Sequence, residues 1–236
     1  MGHFDNVGLY DGLFVMQDRE TRTLWNHITG EALYGPMVGR TLGPLGNVVQ
    51  MTVRLALTLD PAMRVAISDR AYFVSGRQLG TAPGLGGGRG PAPGGGHRVS
   101  PDATLSDMFI ATLGREDTRR PRMDLGLGIW TERTRRYYPM ERIRERSEAF
   151  IDRIDGRRVV VYVDPETFTP AAIYVDAGSA RLQGKDVRLD SGHIVRSGIL
   201  LNARGQRQPA ERPQQVFTRW YGFALPFPGA EVFAQP

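Results

Sequence analysis

Short apolar runs separated by turn residues dominate the chain. Leu13–Met16 and Met63–Ile67 are two such runs, cut off by Gly, Asp and Asn, and they predict strands. Val49–Leu59 is apolar with few breakers and ends at Asp60-Pro61. It predicts a short helix that stops before the proline, because the residue preceding a proline is pushed out of helical geometry. Ser100-Pro101-Asp102 can cap a helix over Ala103–Leu113, with Leu105, Met108, Phe109 and Thr112 on one side. Leu125–Trp130 reads as a strand. Pro139–Phe150 opens on a proline suited to a first helical position. Its arginines and glutamates alternate around Met140, Ile143 and Phe150, which predicts a solvated helix. Arg158–Val163 is rich in β-branched residues and predicts a central strand. Ala171–Val175, Asp186–Leu189, His193–Arg196 and Ile199–Leu201 follow as short strands with Gly and Asp between them.

This pattern predicts an α+β fold of mainly short antiparallel strands with two or three covering helices. Three regions divide it: a β-rich part over 1–75, a Gly/Pro-rich loop over 76–98, and an α+β part of the same domain over 99–236. The middle region has almost nothing to bury, so its ordering entropy would go uncompensated and a flexible loop is expected. A weak internal duplication is also expected. Val53–Ile67 and Trp220–Phe233 each give an apolar stretch, a proline and a valine four residues after it.

Composition changes this picture little. The 236 residues suffice for one large domain or two small ones, and 41% hydrophobic residues can build a core. No apolar run is long enough for a membrane-spanning helix. The opening MGHFDNVGLYDG does not read as a signal peptide, so the chain as it stands reads as cytoplasmic. An upstream segment before Met1 would reopen export. The chain has no cysteine, which excludes disulfides, thiolate metal sites and thiol nucleophiles. A net charge of +5 raises nucleic acid as a partner. Yet Lys185 is the only lysine, and arginine accompanies abundant Gly, Ala and Pro. That combination points to the codon bias of a GC-rich genome, and a nucleic-acid partner is not expected.

Candidate chemistry gathers between Leu9 and Leu42. Asp18, Arg19, Glu20, Thr21, Trp25, Asn26 and His27 stand close together there. Trp25 suits a core anchor. Arg19 can clamp a carboxylate, and Asp18 can bind backbone amides in a turn. His27 is open to three readings: general base, metal ligand or satisfied polar residue. A pair of His27 with Asp18 or Glu20 would suit acid–base work. The other histidines show no spacing that would build a metal site with it. Asn26 and Tyr138 complete the binding candidates, with Tyr138-Pro139 setting a strand-to-helix entry.

The same stretch, with "D-R-E-T-R-T-L-W" and "T-G-E-A-L-Y-G-P-M-V-G", resembles the core of the bacterial domain of unknown function 3179 family. Met51–Ala66, Gly128–Ile143, Asp155–Val163 and Trp220–Phe233 resemble further family segments in the same order. Many members carry a cysteine-containing segment and often an export signal ahead of the region matching Gly2–Asp11, and this chain has neither. The resemblance implies a shared fold and no particular activity. Three functional expectations follow. The first is a non-catalytic binding or scaffolding domain, because Trp, Gly, Pro and Tyr serve geometry better than chemistry. The second is an enzyme or metal-binding protein using His27 with Asp18 or Glu20. The third is an arginine-mediated nucleic-acid binder. Cofactor and ligand are left open.

Overall fold

Two Asp-Gly reversals set the hairpins on which the fold is built. Asp11 and Gly12 have φ of 51° and 68°, and Asp155 and Gly156 have 50° and 80°. Left-handed geometry at both central residues matches the right-handed twist of the flanking strands. The computed structural model describes residues 2–43, 46–47, 51–64 and 105–234. The expected loop over Gly76–Arg98 and the cap at Ser100–Asp102 lie outside the described residues.

The described chain is β-rich, with four short sheets. The first is the meander β1 (Phe4–Tyr10), β2 (Leu13–Asp18), β3 (Leu24–Asn26) and β4 (Ala32–Tyr34). Helix α1 (Val53–Leu59) follows, capped by the Thr52 side chain, and it ends at Asp60 as the proline predicts. After α2 (Asp107–Ile110) come β5 (Leu125–Trp130) and β6 (Arg135–Pro139), the centre of the second sheet. Helix α3 (Met140–Glu145) leads into the third sheet, β7 (Ala149–Ile154), β8 (Arg157–Val163) and β9 (Pro170–Tyr174). The fourth is the meander β10 (Ala180–Gln183), β11 (Asp186–Leu189), β12 (Ile194–Arg196) and β13 (Ile199–Leu201). The chain then returns to the second sheet. There β14 (Gln214–Arg219) pairs antiparallel with β5, α4 (Trp220–Ala224) crosses over, and β15 (Glu231–Val232) pairs parallel with β6.

Burial explains the stacking. Strand β8 is apolar on both sides. Val159, Val161 and Val163 join Leu127, Ile129, Tyr138 and Ile143 in one core. Val160 and Tyr162 join Ile173, Val187, Val195 and Leu200 in another. The run Val159–Val163 therefore reads as a central strand because each face has its own neighbour. A third cluster of Tyr137, Trp220, Phe223 and Phe227 covers the opposite side of β5 and β6. Gly126 and Gly128 on β5 make room for it: a Cβ at Gly128 would fall within the Phe223 ring, and one at Gly126 against Tyr137.

Two expected helices are shorter than their sequence pattern. The segment Pro139–Phe150 is helical only through Glu145. Ser147 and Glu148 take φ of 57° and 61°, and the Glu148 N–H returns to the Ile143 carbonyl at 3.2 Å. This reversal sends Ala149 and Phe150 into β7, where they pair with Tyr162 and Val161. Over Ala103–Leu113 the described helix is Asp107–Ile110, and its cap is Ser106, which accepts from the Phe109 N–H. Neither shortening changes the β-rich character. Helices α3 and α4 bury Met140, Ile143, Trp220 and Phe223, while α2 buries none of its residues.

Of the compared ends, both begin in a helix, α1 and α4, but Val65–Ile67 lies outside the described residues. A closer internal likeness stands elsewhere. Asp18-x-x-Thr21-x-Thr23 and Asp164-x-x-Thr167-x-Thr169 close their β-turns with the same bonds. The Asp N–H donates to the second threonine's carbonyl in each, at 3.1 and 2.9 Å. The two threonine hydroxyls lie 2.6 Å apart in one and 2.7 Å in the other. Arg22 and Phe168, at matching places, both have left-handed φ.

Candidate functional site

Asp18 ends β2 and is buried, 6% exposed. Its carboxylate accepts from the Thr21 N–H at 2.5 Å, the Thr21 hydroxyl at 2.7 Å and the Trp25 indole N–H at 2.8 Å. Burial acts to raise the Asp18 pKa, but the bonds from Trp25 and Thr21 together prevail and bring it down to about 2. Trp25 on β3 is 5% exposed, so the indole is the core anchor its size predicted. The short spacing from Asp18 to Trp25 has a local cause. The turn folds β3 back on β2 with Met16 opposite Trp25, which brings the ring over the end of β2.

The neighbouring candidates serve separate contacts. Arg19 forks onto Asp5 of β1 at 2.7 and 2.8 Å, a bidentate clamp on an exposed surface. Glu20 accepts from the His3 N–H at 3.3 Å and faces its imidazole at 3.7 Å. Asn26 accepts from the N–H groups of Ile28 and Thr29, at 2.8 and 3.2 Å, and shapes the turn after β3. Tyr138 is fully buried and donates to Asp152 at 2.8 Å. Arg136 shares that carboxylate at 2.9 Å. Burial pushes the Tyr138 hydroxyl pKa far up, which suits a donor that keeps its proton. These residues do not converge on one point.

His27 stands apart from both carboxylates it was paired with. By register it lies across from Phe14, and Asp18 is four residues further along β2. At about 3.3 Å per residue that is roughly 13 Å. Its Nδ1 lies 2.7 Å from the Phe14 carbonyl. A carbonyl only accepts, so Nδ1 carries a proton, and in the neutral imidazole Nε2 then holds the lone pair.

His27 and Ile28 form one wall of a groove of about 180 Å³ between the first sheet, β9 and β14. Leu127, Trp130, Val216 and Phe217 supply apolar walls, and Thr169 with the first residues of β9, Pro170 and Ala171, borders it. Trp130, Arg212 and Gln214 also line an adjoining compartment that contains Glu31, Arg135 and Glu211. Side-chain amides hold the groove together. Gln215 accepts from the Ala172 N–H at 2.7 Å and donates to its carbonyl at 2.9 Å, imitating a further strand on the edge of β9. Asn47 does the same for β14, through Pro213 and Gln215, each at 3.0 Å. Arg212 donates to the carbonyls of Ala172 and Gly198.

Sequence reasoning found His27 but not Arg212, Gln215 or Asn47. These three lie far apart in sequence from their partners, and no local pattern marks them. The Asp164 turn, in contrast, carried a readable signal in its repeat of the Asp18 spacing. Among the described residues, no group of three His, Asp or Glu side chains is placed to hold a metal ion. Comparison with protein-family models, with curated proteins and with solved structures gives no match for this chain.

Proposed function

We propose that this protein is a non-catalytic binding domain whose site is the groove beside His27. The observation that supports this reading is the make-up of the groove: apolar walls with a few convergent polar groups, between elements held by fixed amide bonds. That is the usual character of a small-molecule site. The two carboxylates expected to pair with His27 serve the fold instead. Asp18 is committed to Thr21 and Trp25, and Glu20 to His3. Arginine charge is met by local carboxylates on many separate elements, such as Arg122 with Glu116, Arg157 with Glu211 and Arg196 with Asp186. That dispersal favours a small ligand over a nucleic-acid backbone, which needs a continuous basic track. The chain's place in the family it resembles is part of the same proposal and adds no activity to it.

A second reading has one observation in its favour. The Nδ1–H tautomer of His27 leaves Nε2 as a lone-pair donor at the groove, which a metal ion or an acid–base step could use. A thermal-shift screen of the full chain against small molecules and divalent ions, followed by calorimetry on each hit, tests both. The binding reading expects stoichiometric hits recovered chemically unchanged. Metal binding that is lost in a folded His27→Ala protein, or turnover of a hit, would replace it with the second.

A further inference from the structure

Among the described residues, Arg212 is the only formally charged side chain lining the 180 Å³ groove. It is half-buried, and its two bonds run to neutral backbone carbonyls at Ala172 and Gly198. Among the described residues, no carboxylate comes within ion-pair distance of it. Glu211, its neighbour in sequence, is occupied by both guanidinium nitrogens of Arg157 at 2.6 and 2.7 Å. Arg212 also faces the buried Tyr162 hydroxyl, which makes no hydrogen bond of full geometry. Burial raises that hydroxyl's pKa, and the charge and close guanidinium contact of Arg212 oppose the rise. A half-buried cation with neutral partners retains donors and charge for an anion.

Resting on the binding-domain reading, we propose that the groove takes a small monocarboxylate with a single-ring or similarly compact apolar body, its carboxylate on Arg212. Size and lining define the body. An apolar cavity of about 150 Å³ holds benzene. This groove is slightly larger, at 180 Å³, and Trp130 and Phe217 offer aromatic surface to a ring. A planar carboxylate suits the guanidinium fork better than a larger anion would in so small a space. The adjoining compartment adds Arg135 but also Glu31 and Glu132, with Glu211 held by Arg157, so it supplies no surplus positive charge for a second negative group on the ligand. The ligand is therefore a monoanion.

Phenylacetate and its neutral isostere phenylacetamide are the probes, titrated calorimetrically into the full chain. Phenylacetate should bind at least about tenfold more tightly than the amide, a difference of about 1.4 kcal/mol. Arg212→Gln should remove that preference while leaving the weak amide binding in place, and Arg212→Lys should restore part of it. Arg212 also holds the Ala172 carbonyl of β9 and the Gly198 carbonyl of the β12–β13 turn, so the Gln protein could fail to fold. Val216→Phe, which narrows the groove without touching Arg212, should then abolish binding of both probes in a folded protein. Equal affinity for acid and amide would overturn the carboxylate assignment and leave the binding-domain reading intact. So would undiminished phenylacetate binding by folded Arg212→Gln or Val216→Phe. Binding of neither probe at tens of millimolar also overturns it. The broader reading falls only if the wider ligand screen is silent as well.

Discussion

Gly128→Ala tests the packing logic of the second sheet more sharply than any deletion. The added Cβ would fall within the Phe223 ring. That ring cannot step aside freely, because its centroid lies 4.9 Å from that of Phe227 and 5.7 Å from that of Tyr137. Tyr137 is itself fixed by Trp220 at 5.0 Å and by its hydroxyl bond to the Asp124 carbonyl at 2.7 Å. Overpacking of a tight core costs about 1–3 kcal/mol, and this site belongs at the upper end. For a chain of this length, about 3 kcal/mol corresponds to roughly 6–12 °C in melting temperature. Scanning calorimetry measures it directly. Phe223→Leu alone should destabilise by removing ring contacts. In the double variant the smaller side chain accepts the new methyl group, so the two losses should sum to less than their separate values by at least about 1 kcal/mol. A melting temperature for Gly128→Ala within about 2 °C of the parent, or strict additivity in the double variant, would refute the clash.

Trp25→Ala should cost about 3–5 kcal/mol, as expected for a buried aromatic, measured by urea unfolding. His27→Ala loses one half-exposed bond and should cost under about 1.5 kcal/mol. Asp18 has its folded pKa lowered to about 2. Its contribution is therefore complete above the unfolded carboxylate value near 4 and is lost as pH falls through about 2. Asp18→Asn should flatten that acid limb of the melting-temperature profile, and an unchanged limb would show that other carboxylates set it. Glu211→Gln breaks an exposed pair with Arg157 and should change stability by under about 1 kcal/mol, still less in high salt.

Local periodicity and turn chemistry were readable from the sequence. Leu125–Trp130 is a strand as its apolar pattern implied, and the β-branched run at Val159–Val161 lies in the middle of its sheet. The extent of Pro139–Phe150 was not readable. Its helical spacing continues through Phe150, and only tertiary pairing of Phe150 with Val161 decides that the chain turns at Ser147. Strand β14 was missed for a related reason. Gln214–Arg219 has little alternation, and its register is held by β5 and by Asn47, distant in sequence. The candidate site divides the same way. Trp25 and Asp18 form a local knot, so neighbouring letters revealed them. The groove joins His27 to Arg212 across most of the chain, and no short motif records such a meeting.

Strand β8 separates two cores and belongs to both. Its amides pair with β7 on one side and β9 on the other, so neither edge meets solvent. Opening it exposes Val159 and Val161 to one broken core and Val160 and Tyr162 to the other. No local fluctuation can free those amides cheaply. In hydrogen exchange they should be the slowest in the molecule, with protection approaching the free energy of global unfolding. The meander β1–β4 has no such shared strand, and its outer strand β1 is exposed along most of its length. It should exchange well ahead of β8. The groove would then lie on the seam between a slowly exchanging slab and a faster one, and a ligand bound there would slow exchange in the meander while leaving β8 unchanged.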